Sequence, residues 1–339
     1  MFTFYKEIKY TSAYLIPLCC FIGFYFGGVF TWLTVIFSFI ITPIMDALLP
    51  TSDKVSEENN KDYSILYDWF LYLNLVWVFG LVIYGSYQWM NHTYATYESI
   101  GLFVSLGLVL GTSGINVAHE LGHRSNKKEQ LMAQALLLPT FYMHFFIEHN
   151  RGHHANVATP LDPATAQKGE YVYTFWFKTV IFSYISAWKI QMKLLKGKFF
   201  SLKNNMLLYH LIYLIYVSAI LFFFNEKVLL FCILSGIVGF LLLETINYVE
   251  HYGLKRKLLP NGKYERVQLH HSWNANYTFG RIILFELTRH SDHHYKASKK
   301  YHTLEHQTSA PELPFGYPTA ILCSLVPWLW FWVMDKRLS

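Results

Sequence analysis

Three short segments of the sequence concentrate histidine, whose neutral ring is the commonest metal ligand among side chains. Eight histidines fall in the windows HELGH at 119–123, HNRGHH at 149–154 and HSDHH at 290–294, and a ninth lies in the run NYVEHYG. Chance clustering explains such a density poorly. The sequence therefore predicts a metal site built from nine rings: His119, His123, His149, His153, His154, His251, His290, His293 and His294.

The spacing of these residues predicts which rings share an ion. Residues i and i+4, or i and i+3, project from one face of a helix, whereas adjacent residues point about 100° apart. Doubled histidines therefore favour two metals, and nine rings divide as four and five with positions left for dioxygen or water. Imidazole suits iron, zinc, copper and nickel alike, so the spacing leaves the element open. The expected chelating pairs are His119 with His123, His149 with His153, and His290 with both His293 and His294.

Four carboxylates adjoin these histidines in the sequence. Carboxylates next to metal-binding imidazoles commonly orient the rings by hydrogen bonding and supply an oxygen ligand less often. We expect the orienting role for Glu120, Glu148, Glu250 and Asp292.

The chain that must position these residues is too apolar for a soluble protein. Of its 339 residues, 53% are hydrophobic and only 15% are charged, which excludes a disordered or ordinary soluble chain. The net charge is +6, but no nucleic-acid-binding motif appears, so we expect no nucleic acid partner. The four cysteines lie in apolar runs without a C-x-x-C pair, so the sequence offers no iron–sulfur or redox disulfide motif.

Six apolar runs are each long enough to cross a bilayer as a helix. We expect spans at about 13–30, 32–49, 65–89, 98–118, 206–224 and 228–249. The predicted fold is an all-α integral membrane protein of a single domain, residues 1–339, with two large segments, 119–205 and 250–339, on one side. Of the 28 lysine and arginine residues only Lys227 falls on the other side, which predicts cytoplasmic N- and C-termini and a cytoplasmic-side histidine site.

Two further features of the apolar runs leave alternatives open. Small residues in the fourth run either leave room for a channel or allow close helix packing, and both interpretations apply to Gly101, Gly107, Gly111 and Gly114. The tryptophan-rich stretch 318–334 is more typical of an interfacial anchor than of a seventh span.

Taken together, these residues resemble the membrane alkane 1-monooxygenase family of the fatty acid desaturase and hydroxylase superfamily. The motifs HELGH, EHNRGHH, NYVEHYGL and RHSDHH occur in the family's order, HSWN at 271–274 separates the last two, and PELPFGY follows at 311–317. The resemblance implies a non-haem di-iron enzyme that uses dioxygen to convert a medium-chain n-alkane to a primary alcohol. It implies that the nine histidines are the iron ligands, and it places His271, Trp273 and Asn274 beside the site without making them ligands.

The resemblance also implies an inner (plasma) membrane protein of bacteria that takes its alkane from the bilayer and its electrons from a separate rubredoxin with an NAD(P)H-dependent reductase. Rubredoxins are small and acidic, so electrostatic steering could use a basic docking patch. Positive-inside bias and lipid contact explain the same charges equally well. The candidate docking residues are Lys255, Arg256, Lys257, Lys296, Lys299 and Lys300.

Two departures from the family's pattern leave the substrate open. Tyr277 stands where the family commonly has histidine, and FELTRHSDHH replaces the usual LQRHSDHH. An aryl-methyl (xylene-type) monooxygenase or a fatty acyl hydroxylase or desaturase would fit the same histidine spacing.

Alternatives from other classes explain less of the sequence. HELGH matches the H-E-x-x-H motif of an intramembrane zinc protease, with Glu120 as the base and Asp162 as a weak third ligand, but this leaves seven motif histidines unexplained. A metal transporter would need polar residues in mid-span, and four of the six runs have few.

Overall fold

The computed structural model describes residues 3–51 and 64–338, and the regular secondary structure in these ranges is helical. Six helices are long and apolar enough to cross a membrane, which confirms the predicted all-α membrane fold. We number them span 1 to span 6: Lys6–Phe26, Gly28–Leu48, Leu66–Asn91, Thr96–Gly122, Asn205–Phe223 and Glu226–His251.

The spans that lead to the histidines are longer than hydropathy predicts. Span 4 continues to Gly122 and span 6 to His251, past the expected ends at about 118 and 249. The polar motif residues end each apolar run, but the backbone remains helical through them. The last turns of these two membrane helices therefore carry His119 and His251 directly into the site.

A tight hairpin joins spans 1 and 2. Gly27 and Gly28 both adopt positive φ angles, 63° and 57°, which glycine tolerates without a steric penalty. Span 1 also begins at Lys6, earlier than expected, because a 3₁₀ stretch, Lys9–Tyr14, carries the helix through polar residues. Glu98 at the start of span 4 accepts a hydrogen bond from the Gly28 amide and so ties this hairpin to the central helix.

Glycines let span 4 pack tightly at the centre of the bundle. A Cβ atom on Gly107 would lie 2.4 Å from the Val238 Cβ and 2.8 Å from the Ser235 carbonyl oxygen of span 6, and one on Gly111 would lie 2.7 Å from Leu242. Gly101 meets span 2 in the same way, at 2.6 Å from the Thr31 hydroxyl. The contacts at these three glycines support the close-packing interpretation over a channel.

A buried charge network ties span 1 to the loop that precedes His290. Arg281 lies 2.8 Å from the Glu286 carboxylate, which also accepts a 2.8 Å hydrogen bond from the Tyr10 hydroxyl. Phe285 and Glu286 hold positive φ angles of 50° and 58°, a strained turn that this network stabilises. Glu286, the glutamate in FELTRHSDHH, therefore has a structural role in this network.

Two segments outside the spans complete the structure. The helix Val172–Leu194 lies between spans 4 and 5, and the chain ends in the eight-residue helices Tyr317–Ser324 and Pro327–Met334. The last two are too short to cross a bilayer. Trp328 and Trp332 are 75% and 70% exposed, as expected for an interfacial anchor.

Replacing Gly107 by alanine tests the central packing. The new methyl group would overlap span 6, so we expect Gly107→Ala to lower stability by about 1–3 kcal/mol, read as a lower thermal midpoint of the helical circular dichroism signal in detergent. Gly80→Ala in span 3 is the matched control, because a Cβ there has no neighbour within 4 Å. Equal midpoints for both variants would contradict the packing described here.

Candidate metal centre

The predicted histidines meet at one end of the helix bundle. Span 4 and the residue after it bring His119 and His123, span 6 brings His251, the segment that follows Phe145 brings three more rings, and the short helix His290–Tyr295 brings the last three. His123 and His154 are half-buried and the other seven rings are buried. The structure thus brings all nine together from four separate segments.

The nine rings form two groups, and within each group the potential ligand atoms all lie within 4.8 Å of one another. The larger group is His119, His123, His149, His154 and His293, and the smaller is His153, His251, His290 and His294. This division into five and four matches the sequence expectation. Each doubled histidine contributes one ring to each group.

Distances within the groups fit a shell of metal ligands. The Nε2 atom of His154 lies 2.9 Å from that of His149 and 3.3 Å from that of His293. Two imidazole nitrogens bound to one ion at about 2.1 Å lie about 3.0–3.4 Å apart when the angle between them is near 90–110°. The same spacing recurs in the smaller group, where His290 and His251 Nε2 are 3.3 Å apart.

Unpartnered ring atoms point to the same conclusion. Both ring nitrogens of His119 are buried and accept or donate no hydrogen bond within the described residues. Leaving a buried polar group unsatisfied costs about 1–3 kcal/mol, and a bound ion would remove that cost. Burial lowers the pKa of His123 to about 3, and it also lowers the pKa values of His149 and His293. These rings are therefore neutral at pH 7, as metal binding requires.

A carboxylate far from the predicted motifs orients one ring. Asp162 Oδ2 lies 2.9 Å from the Nδ1 atom of His153 and leaves the Nε2 atom facing the smaller group. Burial lowers the pKa of His153, but the charge and hydrogen bond of Asp162, together with the charges of Glu148 and Glu250, raise it above its usual value. The sequence had suggested Asp162 only as a ligand of the protease alternative. Its LDP context gave no sign of this contact.

The structure separates His149 from His153, which the i, i+4 rule pairs. Residues His149–His153 form a π-helical turn, in which each turn closes on residue i+5. His149 therefore lies beside His154, and His153 faces the other group. In the α-helix His290–Tyr295 the i, i+4 pair of His290 and His294 is confirmed, but the expected i, i+3 pair of His290 and His293 is wrong, because His293 belongs to the larger group. His119 and His123 share a group as expected.

Glu250 contacts a ring of the smaller group. Its Oε2 atom lies 3.0 Å from His290 Nε2, while its Oε1 atom accepts a 2.6 Å hydrogen bond from the Tyr317 hydroxyl. Because it contacts the same Nε2 atom that faces the group, the carboxylate is placed to add an oxygen to the same shell. Tyr317 ends the PELPFGY motif, which is the sequence signal for its position.

Glu148 and Asp292, two more of the adjoining carboxylates, make their hydrogen bonds with neighbouring segments. Glu148 accepts a hydrogen bond from Ser186, and burial, followed by the charge of Asp162, raises the pKa of Glu148 to about 8. Asp292 accepts from Lys299 and from the Glu305 amide, and so fixes the loop after the last histidines.

Glu120 makes its contacts away from the rings. Its carboxylate accepts hydrogen bonds from the Arg124 guanidinium, at 2.6 Å, and from the Tyr301 amide. A zinc protease would need this carboxylate beside the metal-bound water. The ion pair with Arg124 disfavours that alternative.

The HSWN segment straps span 6 to the last histidine helix. The His271 Nδ1 atom accepts a hydrogen bond from the Gln268 amide, and Trp273 donates to the Tyr252 carbonyl at 3.0 Å. Asn274 clamps Ser291 through two hydrogen bonds of 2.7 and 2.8 Å. The three residues predicted to lie near the site therefore hold its backbone in place.

A third group of possible ligands, Glu265, His270 and His271, fits a metal poorly. The Gln268 amide donates to His271 Nδ1 at 2.9 Å, so the neutral ring carries its proton on Nε2, which faces Glu265 at 3.4 Å. A protonated nitrogen cannot ligate an ion.

An apolar cleft encloses about 420 Å³, counting its open mouth, and is connected to the smaller group through Tyr317. Its walls include Phe39 of span 2, Leu108 of span 4 and Leu242 of span 6. Tyr317 also lines the cleft and links it, through Glu250, to His290. Tyr277, the departure from the family's pattern, lies near Gly316 beside this wall.

Comparison with known proteins agrees with this geometry. A model of the fatty acid desaturase family matches residues 96–322. An alkane 1-monooxygenase of Acinetobacter baylyi is 37% identical over 88% of this chain and 74% of its own, and alkane 1-monooxygenase 1 of Alcanivorax borkumensis is 35% identical over 98% and 85%. The hydroxylase component of a xylene/toluene monooxygenase from Pseudomonas putida is 29% identical over 95% and 87%.

Paired substitutions test the two groups. Removing two rings from one group should release one ion, so we expect His149→Ala/His154→Ala to keep about half of the wild-type metal per chain. Removing one ring from each group, as in His149→Ala/His153→Ala, should weaken both sites and leave less. Elemental analysis of purified protein after dialysis against a weak chelator measures the difference. If His149→Ala/His153→Ala kept more metal than His149→Ala/His154→Ala, the result would support the i, i+4 pairing of His149 with His153 instead.

Proposed function

Because this chain belongs to the fatty acid desaturase family and, within it, to the alkane 1-monooxygenases, which are oxidoreductases, we propose that it hydroxylates the terminal carbon of medium-chain n-alkanes at a histidine-bound di-iron centre. The reaction consumes an alkane, dioxygen, two electrons and two protons, and yields a primary alcohol and water. The observation that carries the proposal is the gathering of nine buried or half-buried histidines into two groups, the smaller of which is linked to an apolar cleft through Glu250 and Tyr317.

The residues present fit two iron ions. Both groups consist of imidazoles, which suit iron, and zinc lacks the redox chemistry that a monooxygenase needs. When bound, the metal would supply the activation of dioxygen. The larger group would hold one ion and the smaller group the other, with Glu250 beside His290. Asp162 and the HSWN strap keep the rings oriented.

The apolar cleft suits a substrate without polar groups. An n-alkane dissolves in the bilayer, and the cleft is lined by residues from spans 1, 2, 4 and 6, which lets the substrate enter between helices. Leu108, which lines the cleft, precedes His119 by 11 residues on span 4. The two residues are therefore about 16 Å apart along the helix axis. That length is comparable with an extended medium-chain alkane. Tyr317 marks the end of the cleft nearest the histidines.

Electrons would come from a rubredoxin that docks on the histidine side, which we propose to be cytoplasmic, with both chain termini, in a bacterial inner membrane. Three of the six candidate docking residues already have partners within the chain. Arg256 donates to the Glu265 and Ala155 carbonyls, and Lys299 and Lys300 form ion pairs with Asp292 and Asp68. Three candidates are exposed and better placed to meet an acidic partner: Lys255, Lys257 and Lys296.

Product analysis is the direct test of this function. We expect protein loaded with iron, in nanodiscs with rubredoxin, its reductase, NADH and dioxygen, to convert octane to 1-octanol, with about two irons per chain. His293→Ala should abolish the product, whereas Gly80→Ala should retain it. Turnover of xylene or of a fatty acyl substrate without alkanol would move the protein to those activities. One tightly bound zinc and no oxygen-dependent product would overturn the mechanism.

Neutralising the narrowed patch tests donor docking. We expect Lys255→Gln/Lys257→Gln/Lys296→Gln to raise the KM for rubredoxin on the order of tenfold at low salt, with kcat retained, because steering acts on association. The control Lys168→Gln/Lys189→Gln/Lys193→Gln removes the same charge elsewhere. A KM that responds to neither the first variant nor ionic strength would contradict the patch.

A further inference from the structure

A second and larger cavity lies beside the five-histidine group and has no part in the proposed reaction. With its open mouth it encloses about 1670 Å³, between the helices Lys127–Leu137 and Val172–Leu194 and the start of span 5. His123 forms part of its wall. The cavity therefore joins the surface of the protein to the edge of the metal centre.

The lining of this cavity is cationic. It includes four basic side chains and no aspartate or glutamate. Arg124 is neutralised by Glu120 and Asp68. The other three are exposed and take part in none of the ion pairs found within residues 3–51 and 64–338: Lys127, Arg151 and Lys203. A mobile anion would find three cations without a competing carboxylate.

The same cavity has an apolar side at the level where the spans end. Gly122 is the last residue of span 4, and Leu208 lies in the first turn of span 5. Leu131, Leu194 and Leu208 line the cavity and are 64%, 51% and 45% exposed. Charged side chains above exposed leucines at a span end match the boundary between headgroups and acyl chains.

We propose that this cavity binds an anionic phospholipid from the leaflet on the histidine side. Its phosphate contacts Lys127, Arg151 and Lys203, and an acyl chain lies along Leu131 and Leu208. A soluble acidic protein would satisfy the cations but would leave the leucines in water, so the apolar wall favours the lipid. This inference does not depend on the proposed reaction.

Lipid binding would stabilise the metal centre through Arg151. This arginine lies in the π-helical turn that carries His149 and His153, whereas Lys127 and Lys203 belong to other segments. One phosphate would therefore clamp the turn to the helix Lys127–Leu137 and to the turn that precedes span 5. The clamp acts on backbone position and leaves the metal ligands themselves unchanged.

The experiment compares phosphatidylglycerol with phosphatidylcholine on delipidated, metal-loaded protein. We expect phosphatidylglycerol to raise the thermal midpoint and to remain bound in native mass spectra, and Lys127→Gln/Arg151→Gln/Lys203→Gln to weaken that binding on the order of tenfold. The control Lys168→Gln/Lys189→Gln/Lys263→Gln changes the same charge outside the cavity and should bind as wild type. The milder Lys127→Gln/Lys203→Gln serves if the triple variant loses its metal, and should show the same loss of lipid.

Three outcomes would overturn the proposal. Equal binding of the two lipids would remove the role of charge, and equal protection by inorganic phosphate would remove the role of the leucines. If the cavity variants weaken rubredoxin binding but keep phosphatidylglycerol, the cavity is a protein docking site.

Discussion

The structure depends on placing nine imidazole rings in the interior of a membrane helix bundle. A neutral ring presents one N–H and one unprotonated nitrogen, and each needs a partner where water is excluded. A metal ion satisfies one nitrogen, and within the described residues the chain provides a partner for the other nitrogen at some rings but not at others, such as His293. Asp162 is the partner of His153 Nδ1, and the Ser272 hydroxyl lies 3.5 Å from His251 Nδ1. The spans, the HSWN strap and the buried Glu286 network fix the segments that carry the rings.

Local sequence properties predicted the fold class and the gathering of the site. Hydropathy is a property of short windows, so the number of spans follows from it, and the histidine windows mark the rings that meet. The grouping of His149 did not follow, because a π-helical turn depends on tertiary contacts. Gly152 leaves room for the Glu148 carboxylate inside that turn, which no spacing rule anticipates.

Contacts between distant segments were beyond the sequence. Tyr317 reaches Glu250 across 67 residues, and the three unpaired cations of the large cavity come from three separate segments. The six basic candidates for donor docking also look alike in the sequence. In the structure three of them have partners within the chain, and the other three are exposed. Such distinctions depend on which surfaces meet, and composition cannot report them.

The two doubled histidines have a mechanical consequence. His153 and His154 belong to different groups, and so do His293 and His294, so each pair joins the two sites through a single peptide unit. Rotating that peptide to improve the shell of one ion moves a ligand of the other. The geometries of the two sites are therefore mechanically coupled, and neither coordination sphere can relax alone. A substitution that enlarges one site also distorts the other.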